Sequence, residues 1–353
     1  MNNFLLMTTG GTIDGEWSPA KDTATNSGTT SHIPPHLEQI LGAEAFDHVL
    51  IANKDSRDIT PADQREMVSE ILWRMHENIL ITAGTYQMGM MEWFLRNHDA
   101  LKALRNRRVV FTGSTIPLHW YTGSDAWFNL WASLCALRHL PPDAPFSGIC
   151  MNGSLICNGE WGKDVSLAQF KAYHPNHDAW RELQNVDFIH TWGSIDFELD
   201  GLDWLRPRKR SSVPSFRESS ANIRQLWHHY QLPTLRDSRD FTEWDIETTI
   251  DILRATTAQN VVITLGTFGM QRIHDAVIAA NILDKTVVLT GSRLPLDGIQ
   301  ETDAPFQLWY ALALLNYRKD WVCATFNGKT GIPRDILPKE LQQESRRSKR
   351  KQG

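Results

Sequence analysis

Residues able to carry out acyl transfer stand just beyond short apolar runs in this chain. Thr12 follows the pair Gly10-Gly11 in LLMTTGGTID (residues 5–14), and Thr85 follows Gly84 in ITAGTYQM (residues 81–88). A glycine pair lets the backbone turn tightly and approach a ligand, which leaves the next hydroxyl facing a cleft. A threonine nucleophile needs a nearby group to take its proton, and a lysine with a pKa lowered by burial can serve. Lys163, downstream of the last apolar run of the first half, is the candidate partner of Thr85. Competing chemistries lack their motifs. There is no G-x-S-x-G elbow and no G-x-G-x-x-G after a strand, and NGKTG (residues 327–331) lacks the upstream glycine of a phosphate loop. No full set of His or Cys ligands has zinc spacing, and His174 and His177 form a lone His-x-x-His read as surface residues. No metal and no cofactor is expected.

The same phrases are written twice. KDSRDIT (54–60) returns as RDSRDFT (236–242), and ITAGTYQM returns as ITLGTFGM (263–270). FTGSTIPL (111–118) returns as LTGSRLPL (289–296), SDAWFNLW (124–131) as TDAPFQLW (302–309), and MNG (151–153) as FNG (326–328). Thr12 and Ser194, Ser56 and Ser238, and Thr85 and Thr267 are each 182 residues apart. The offset is 178 for Gly113 and Gly291 and 175 for Asn152 and Asn327. It slips only where surface connections can lose residues. The chain therefore reads as a tandem duplication joined near residue 180, with copies at 1–180 and 181–353, the second ending in a basic tail at 345–353.

Within each copy, elements must place those motifs. FLLMTT, HVLIAN, NILITAG, RRVVFTG and FSGICMNG are the strands expected in copy one, and DFIHTWG, NVVITLG, KTVVLTG and WVCATFNG those in copy two. Between the copy-one strands, residues 61–77, 88–97 and 124–139 space apolar positions three and four apart, as helices do. Thr60 before Pro61 reads as a helix start. Apolar strands buried on both faces and separated by helices imply α/β domains, each a doubly wound, mainly parallel, Rossmann-like sheet. In such sheets ligands bind beyond the carboxyl ends of the strands, where TTGGT, KDSRD, GTYQ, TGST and NG all fall.

Composition narrows the partners. A formal net charge of −5 gives no global footprint for nucleic acid, and no run is long and apolar enough to suggest a membrane span. The start lacks the basic region of a signal peptide, and four cysteines in apolar segments suggest a reducing compartment. The expectation is a cytoplasmic protein with a small-molecule ligand, no nucleic acid and no membrane. The basic stretch LRPRKRSSVP (205–214) is read as part of a long polar loop.

Taken together, TTGGTID, KDSRD, GTYQM, TGSTIP, DAWFNL and MNG with a downstream lysine resemble the asparaginase/glutaminase family of threonine amidohydrolases. The likeness is to the N-terminal domain, as in the short single-domain bacterial members, and it occurs once per half. It implies a fused pair of such domains, an internal pseudo-dimer able to form further homo-oligomers. It also implies hydrolysis of a small amide through an acyl-enzyme with release of ammonia. On this resemblance Thr12 attacks the carbonyl, Thr85 is the second catalytic threonine and Lys163 activates it. Gly11, Ser56, Arg57, Gly84, Tyr86 and Ser114 line the substrate site.

The departures shape the expected substrate. Tyr86 stands where the family keeps an aspartate for the substrate's ammonium, and Phe268 stands there in copy two. The lid tyrosine is also missing, with Thr23 or Thr25 as substitutes. Copy two has Trp192 for the first glycine and Ser194 for the threonine, so Ser194, Ser238, Thr267 and Phe268 are counterparts expected to be inactive, and Trp192 suggests a filled pocket. The reading is an amidohydrolase acting on asparagine, glutamine or a modified or peptide-linked derivative. The alternative is a catalytically silent protein of the same fold that binds a small amide or amino acid.

Overall fold

The computed structural model describes residues 4–18, 23–26, 29–102, 107–118, 124–139, 147–157, 161–164, 169–172, 185–200, 204–207, 227–233, 237–282, 284–296, 302–317, 321–339 and 341. The chain divides into two compact units, Met1–Glu182 with Ser219–Ile223 and Leu183–Glu218 with Arg224–Gly353. The basic tail 345–353 and the His174/His177 pair lie outside the described residues.

In the first unit the strands are β1 (Phe4–Gly10), β2 (Glu16–Ser18), β3 (Thr23–Thr25), β4 (Phe46–Lys54), β5 (Asn78–Thr82), β6 (Arg108–Thr112), β7 (Ser147–Met151), β8 (Ser154–Cys157), β9 (Trp161–Asp164) and β10 (Gln169–Ala172). Six of them form one sheet in the order β4-β1-β5-β6-β7-β8. All neighbours are parallel except β8, which returns antiparallel on β7. The register pairs Leu5 with Ile79 and Thr8 with Thr82. β2 with β3 and β9 with β10 form separate antiparallel ribbons.

β1 is buried at every position, as a strand covered on both faces must be. Leu5, Met7, Ile79, Ile81, Val109 and Phe111 pack into one cluster with Met67, Ile71, Met88, Met91 and Leu95 from the helices Pro61–Trp73 and Met88–Asn97. The helix Asp125–His139, buried along nearly its whole length, packs against β5, β6 and β7. Each Val, Leu or Met side chain so buried contributes roughly 1.5–3 kcal/mol. Thr60 is the N-cap of Pro61–Trp73: its hydroxyl accepts from the Asp63 N–H at 3.3 Å, and the Asp63 carboxylate accepts from the Thr60 N–H at 2.6 Å.

The second unit contains β11 (Val186–His190), β12 (Phe197–Asp200), β13 (Trp204–Pro207), β14 (Trp227–Gln231), β15 (Asn260–Thr264), β16 (Thr286–Thr290), β17 (Val322–Phe326) and β18 (Lys329–Gly331). Its sheet runs β14-β11-β15-β16-β17-β18, strand for strand the order of the first. The same reciprocal cap recurs, with Thr242 and Asp245 at 3.4 and 2.7 Å.

Several elements depart from the sequence reading, among them two strands of the second unit. Leu205–Pro207, expected in a polar loop, is strand β13 paired with β12. The edge strand β14 was not expected, because its WHHYQ has no apolar run. Both polar rings instead bond to the neighbouring strand: His228 Nδ1 meets Asp187 Oδ1 at 3.0 Å, and His229 Nδ1 meets His190 Nε2 at 2.9 Å.

Candidate functional site

A sheet ordered second-first-third-fourth-fifth has its crevice between the ends of the first and third strands, where the direction of winding reverses. In the first unit those strands are β1 and β5. Gly11, just past β1, has φ +79°, a left-handed conformation that glycine adopts without strain. A Cβ on Gly11 would collide with the N and Cα of Gly84, just past β5. A Cβ on Gly84 would in turn lie 2.7 Å from both Cβ and Oγ of Ser56, the residue that opens the turn after β4. A Cβ on Gly113, just past β6, would stand 3.5 Å from Thr85 Cγ2. Four loop starts therefore meet here, with Gly11 and Gly84 touching as backbone on backbone. Thr12 and Thr85 each come one residue after a glycine of the central contact.

Thr12 opens the short 3-10 turn Thr12–Asp14 and is half-buried, while Thr85 is buried at 7% exposure. The turn is held from several sides. Gly11 N–H donates to Lys54 O at 3.0 Å, Asn26 Nδ2 donates to Gly11 O at 3.1 Å, and Leu118 N–H donates to Ile13 O at 3.2 Å. Asp14 is fully buried, and its Oδ1 accepts the His32 N–H at 2.6 Å. Burial raises its pKa, with Ser31 and the His32 amide pulling the other way.

The remaining expected residues are placed as follows. Ser56 is buried. Arg57 is exposed and grips its neighbour Asp55 through Nε at 3.0 Å and Nη2 at 2.9 Å. That pairing raises the Arg57 pKa and, through the same bonds, lowers that of Asp55. Tyr86 is 73% exposed beside Arg57. Ser114 is buried, its hydroxyl donating to Ile116 O at 2.6 Å. The backbone of Lys163 lies in β9 opposite Phe170, and its side chain lies outside what the structure describes. The side chain of Thr23 is likewise outside, and Thr25 spends its hydroxyl on Glu16 O within the hairpin at 3.4 Å.

Sequence reasoning passed over a buried network behind the β6 loop. The Asp125 carboxylate accepts the N–H groups of Thr115 and Ile116 at 2.9–3.0 Å. Asn129 Nδ2 donates to Gly113 O at 2.9 Å and to Asp125 Oδ2 at 3.2 Å, while its Oδ1 accepts the Asn152 N–H at 2.8 Å. Burial raises the Asp125 pKa, opposed by the two amides. These side chains fix where Gly113 and Ser114 stand. Asp14 was overlooked too, although its recurrence in TID and SID was a readable signal.

The second unit repeats the contact without the same chemistry. A Cβ on Gly193 would reach Gly266 Cα at 2.6 Å, and one on Gly266 would reach Ser238 Cβ at 2.8 Å. Ser194 opens the matching 3-10 turn, with its side chain outside the description. Ser238 and Thr267 are buried. The Phe268 ring lies under the Arg239 guanidinium, 5.3 Å from its centroid. Trp192 is fully buried in the core at φ +66°, its Nε1 donating to Leu232 O at 3.1 Å. Among the described residues no cluster of three His, Cys, Asp or Glu is placed to hold a metal, and no helix is long and apolar enough to cross a membrane.

The fold and this site define a doubly wound α/β protein whose hydroxyls gather at the switch point of the sheet. The sequence profile of the asparaginase N-terminal domain matches residues 3–195, more than half of the chain, and the chain belongs to that family of amidohydrolases. Solved structures similar to it include a probable cytoplasmic L-asparaginase from Campylobacter jejuni, at 14% identity and TM-score 0.41 over 90% of this chain and 94% of that one. Others are the thermostable L-asparaginase from Thermococcus kodakarensis (18%, TM-score 0.37, 91% and 89%) and L-asparaginase I from Vibrio cholerae O1 biovar eltor (17%, 0.40, 82% and 80%). No curated protein matches by sequence.

Proposed function

We propose that the first unit is a threonine amidohydrolase acting on a side-chain amide of the asparagine or glutamine type, free, modified or peptide-linked. Thr12 attacks the amide carbonyl. As its oxygen–carbon bond forms, the carbon–nitrogen bond breaks and the hydroxyl proton leaves with the nitrogen as ammonia. Water then attacks the acyl-threonine ester, releasing the acid and restoring the hydroxyl. Thr85, activated by Lys163, handles the water and the protons. Gly11, Gly84, Ser56, Arg57, Tyr86 and Ser114 bind the substrate, and no metal or cofactor takes part.

The observation that carries this reading is the backbone contact of Gly11 with Gly84, which sets the positions following β1 and β5 side by side. The second copy, 181–353, is then a degenerate one from a tandem duplication, a reading supported by its identical strand order. The fused halves would act as an internal pseudo-dimer, which predicts that each half expressed alone is insoluble or self-associates. The experiment is an ammonia assay over asparagine, glutamine and their N-acyl derivatives: release is expected from the native chain and not from Thr12→Ala or Lys163→Met. Unchanged turnover in both variants would refute the mechanism.

A second reading, a silent binding protein, draws on Tyr86, a phenol where a counter-ion for an ammonium would be useful. Thermal stabilisation by an amide with no ammonia released at any substrate concentration would select it.

A further inference from the structure

The helix Met88–Asn97 leads away from the rim of the site and carries Met90 and Trp93 at 57% and 58% exposure. Residues three apart on a helix are surface neighbours. Tyr86, next to buried Thr85 and two residues ahead of the helix, is 73% exposed. The three make an apolar line that starts at the site. Within the helix, Met90 and Trp93 stand about 4.5 Å apart along the axis at 1.5 Å per residue. Single exposed apolar side chains are ordinary, but a line of them on a site's rim marks a binding surface.

The second unit supplies the control. The matching positions there are Phe268, Arg272 and Asp275. Arg272 donates to Phe241 O at 2.6 Å and pairs with Glu243 at 2.8 Å, Asp275 accepts from Gln271 at 2.7 Å, and Phe268 lies against Arg239. The face is polar and satisfied in the copy that has lost its glycine pair. It is apolar and open in the copy that keeps Gly10-Gly11-Thr12.

Charge points the same way. Around the first site Asp14 holds the His32 amide, Asp55 holds Arg57, and Asp63 holds Lys54 at 2.8 Å. Asp125 holds the Thr115 and Ile116 amides, and Asp58 adds its field to Arg57. Asp55, Asp63 and Asp125 are thereby engaged and are not set aside for an incoming ammonium.

We infer that the substrate's α-amine is acylated, and that the group on it is apolar and lies along Tyr86, Met90 and Trp93. The substrate class is an N-acyl or N-peptidyl asparagine or glutamine, an inference that rests on the amidohydrolase reading of the same site. Calorimetric titration of the Thr12→Ala chain with N-acetylasparagine and N-octanoylasparagine separates the two. Octanoyl is expected to bind at least about tenfold more tightly than acetyl, and adding Met90→Arg and Trp93→Asp, the residue types of the second unit, is expected to bring that ratio to about one. Equal affinities, or a ratio that survives both substitutions, would overturn the inference. Ammonia release by the native chain tests the layer beneath. Tight octanoyl binding without ammonia keeps the surface and removes the hydrolase, whereas ammonia from free asparagine without an octanoyl preference keeps the hydrolase and removes the surface.

Discussion

The turn after β1 and the turn after β11 occupy the same place in two sheets of identical order, yet they are built by opposite means. In the first, Gly10 and Gly11 lie flat against their neighbours: a Cβ on Gly10 would sit 2.7 Å from Lys54 O, because β4 runs on to Lys54 alongside it. In the second, β14 ends at Gln231, and Trp192 fills the space with an indole that is 0% exposed. Holding a non-glycine residue in the left-handed region costs roughly 1–2 kcal/mol, and burying the ring more than offsets it. The same topology thus supports close backbone packing in one copy and a buried indole in the other. What distinguishes them is what packs beside the edge strand, Gly10 against the Lys54 backbone in one and the Trp192 indole on Leu232 O in the other.

The sharpest way to break this comparison is to delete the two hydroxyls separately. Thr12→Ala is expected to reduce ammonia release by about 10⁴-fold or more, the scale seen when a nucleophile is removed, while Ser194→Ala leaves it unchanged. A loss of turnover in Ser194→Ala would assign chemistry to the second copy.

Trp192→Ala should cost about 3–5 kcal/mol of stability, as large buried aromatics do, measured by denaturant unfolding. A cost under about 1 kcal/mol would mean that the ring packs loosely and that the contrast is one of sequence only.

Tyr86→Asp returns a carboxylate to the rim, and it should lower KM for free asparagine by roughly 10–100-fold, the value of about 1.4–2.7 kcal/mol. No change in KM would place the amine elsewhere.

Acid should weaken the second unit. His190 is buried between Thr264 Oγ1 at 2.8 Å and His229 Nδ1 at 2.9 Å, and burial, followed by the nearby His229, pushes its pKa well below the ordinary histidine range. The unfolded chain therefore takes up the proton first, so stability present above pH ~6.5 is lost as pH falls below it. In the first unit burial also lowers the pKa of His48, whose Nε2 lies 2.9 Å from the Thr8 hydroxyl. His190→Gln is expected to flatten the decline between about pH 6.5 and 5, read from melting temperatures at stepped pH, and leave the His48 share.

The smallest effect should be the most symmetric. Thr60→Ala and Thr242→Ala each remove a cap of the same geometry and should each cost about 1 kcal/mol. Unequal costs would show that the two scaffolds have diverged beneath the site as well as within it.

The strands β1, β4, β5, β6 and β7, the helices at 61–73, 88–97 and 125–139 and the order of the motifs were legible in the sequence, because continuous apolar runs and three-to-four spacing are local signals. What escaped was set by partners far along the chain. The strand Trp227–Gln231 is polar to the eye, since its imidazoles bond to Asp187 and His190 some 40 residues earlier. Asp125 read as one letter of a motif until the amides it accepts, nine and ten residues earlier, were seen. The return strands β8 and β18 and the hairpin of β2 and β3 are three or four residues long and carry no period to detect.

One consequence follows from the glycine-to-glycine contact beyond β1 and β5. Because main-chain contact places the residue after Gly11, on the proposed mechanism the substrate-facing side chains are free to change their preferences without moving Thr12. Tyr86 and Arg57 can drift while Thr12 keeps its address. Copy two preserves the same touch between Gly193 and Gly266. There the touch has outlasted the first glycine, whose place the buried Trp192 now fills.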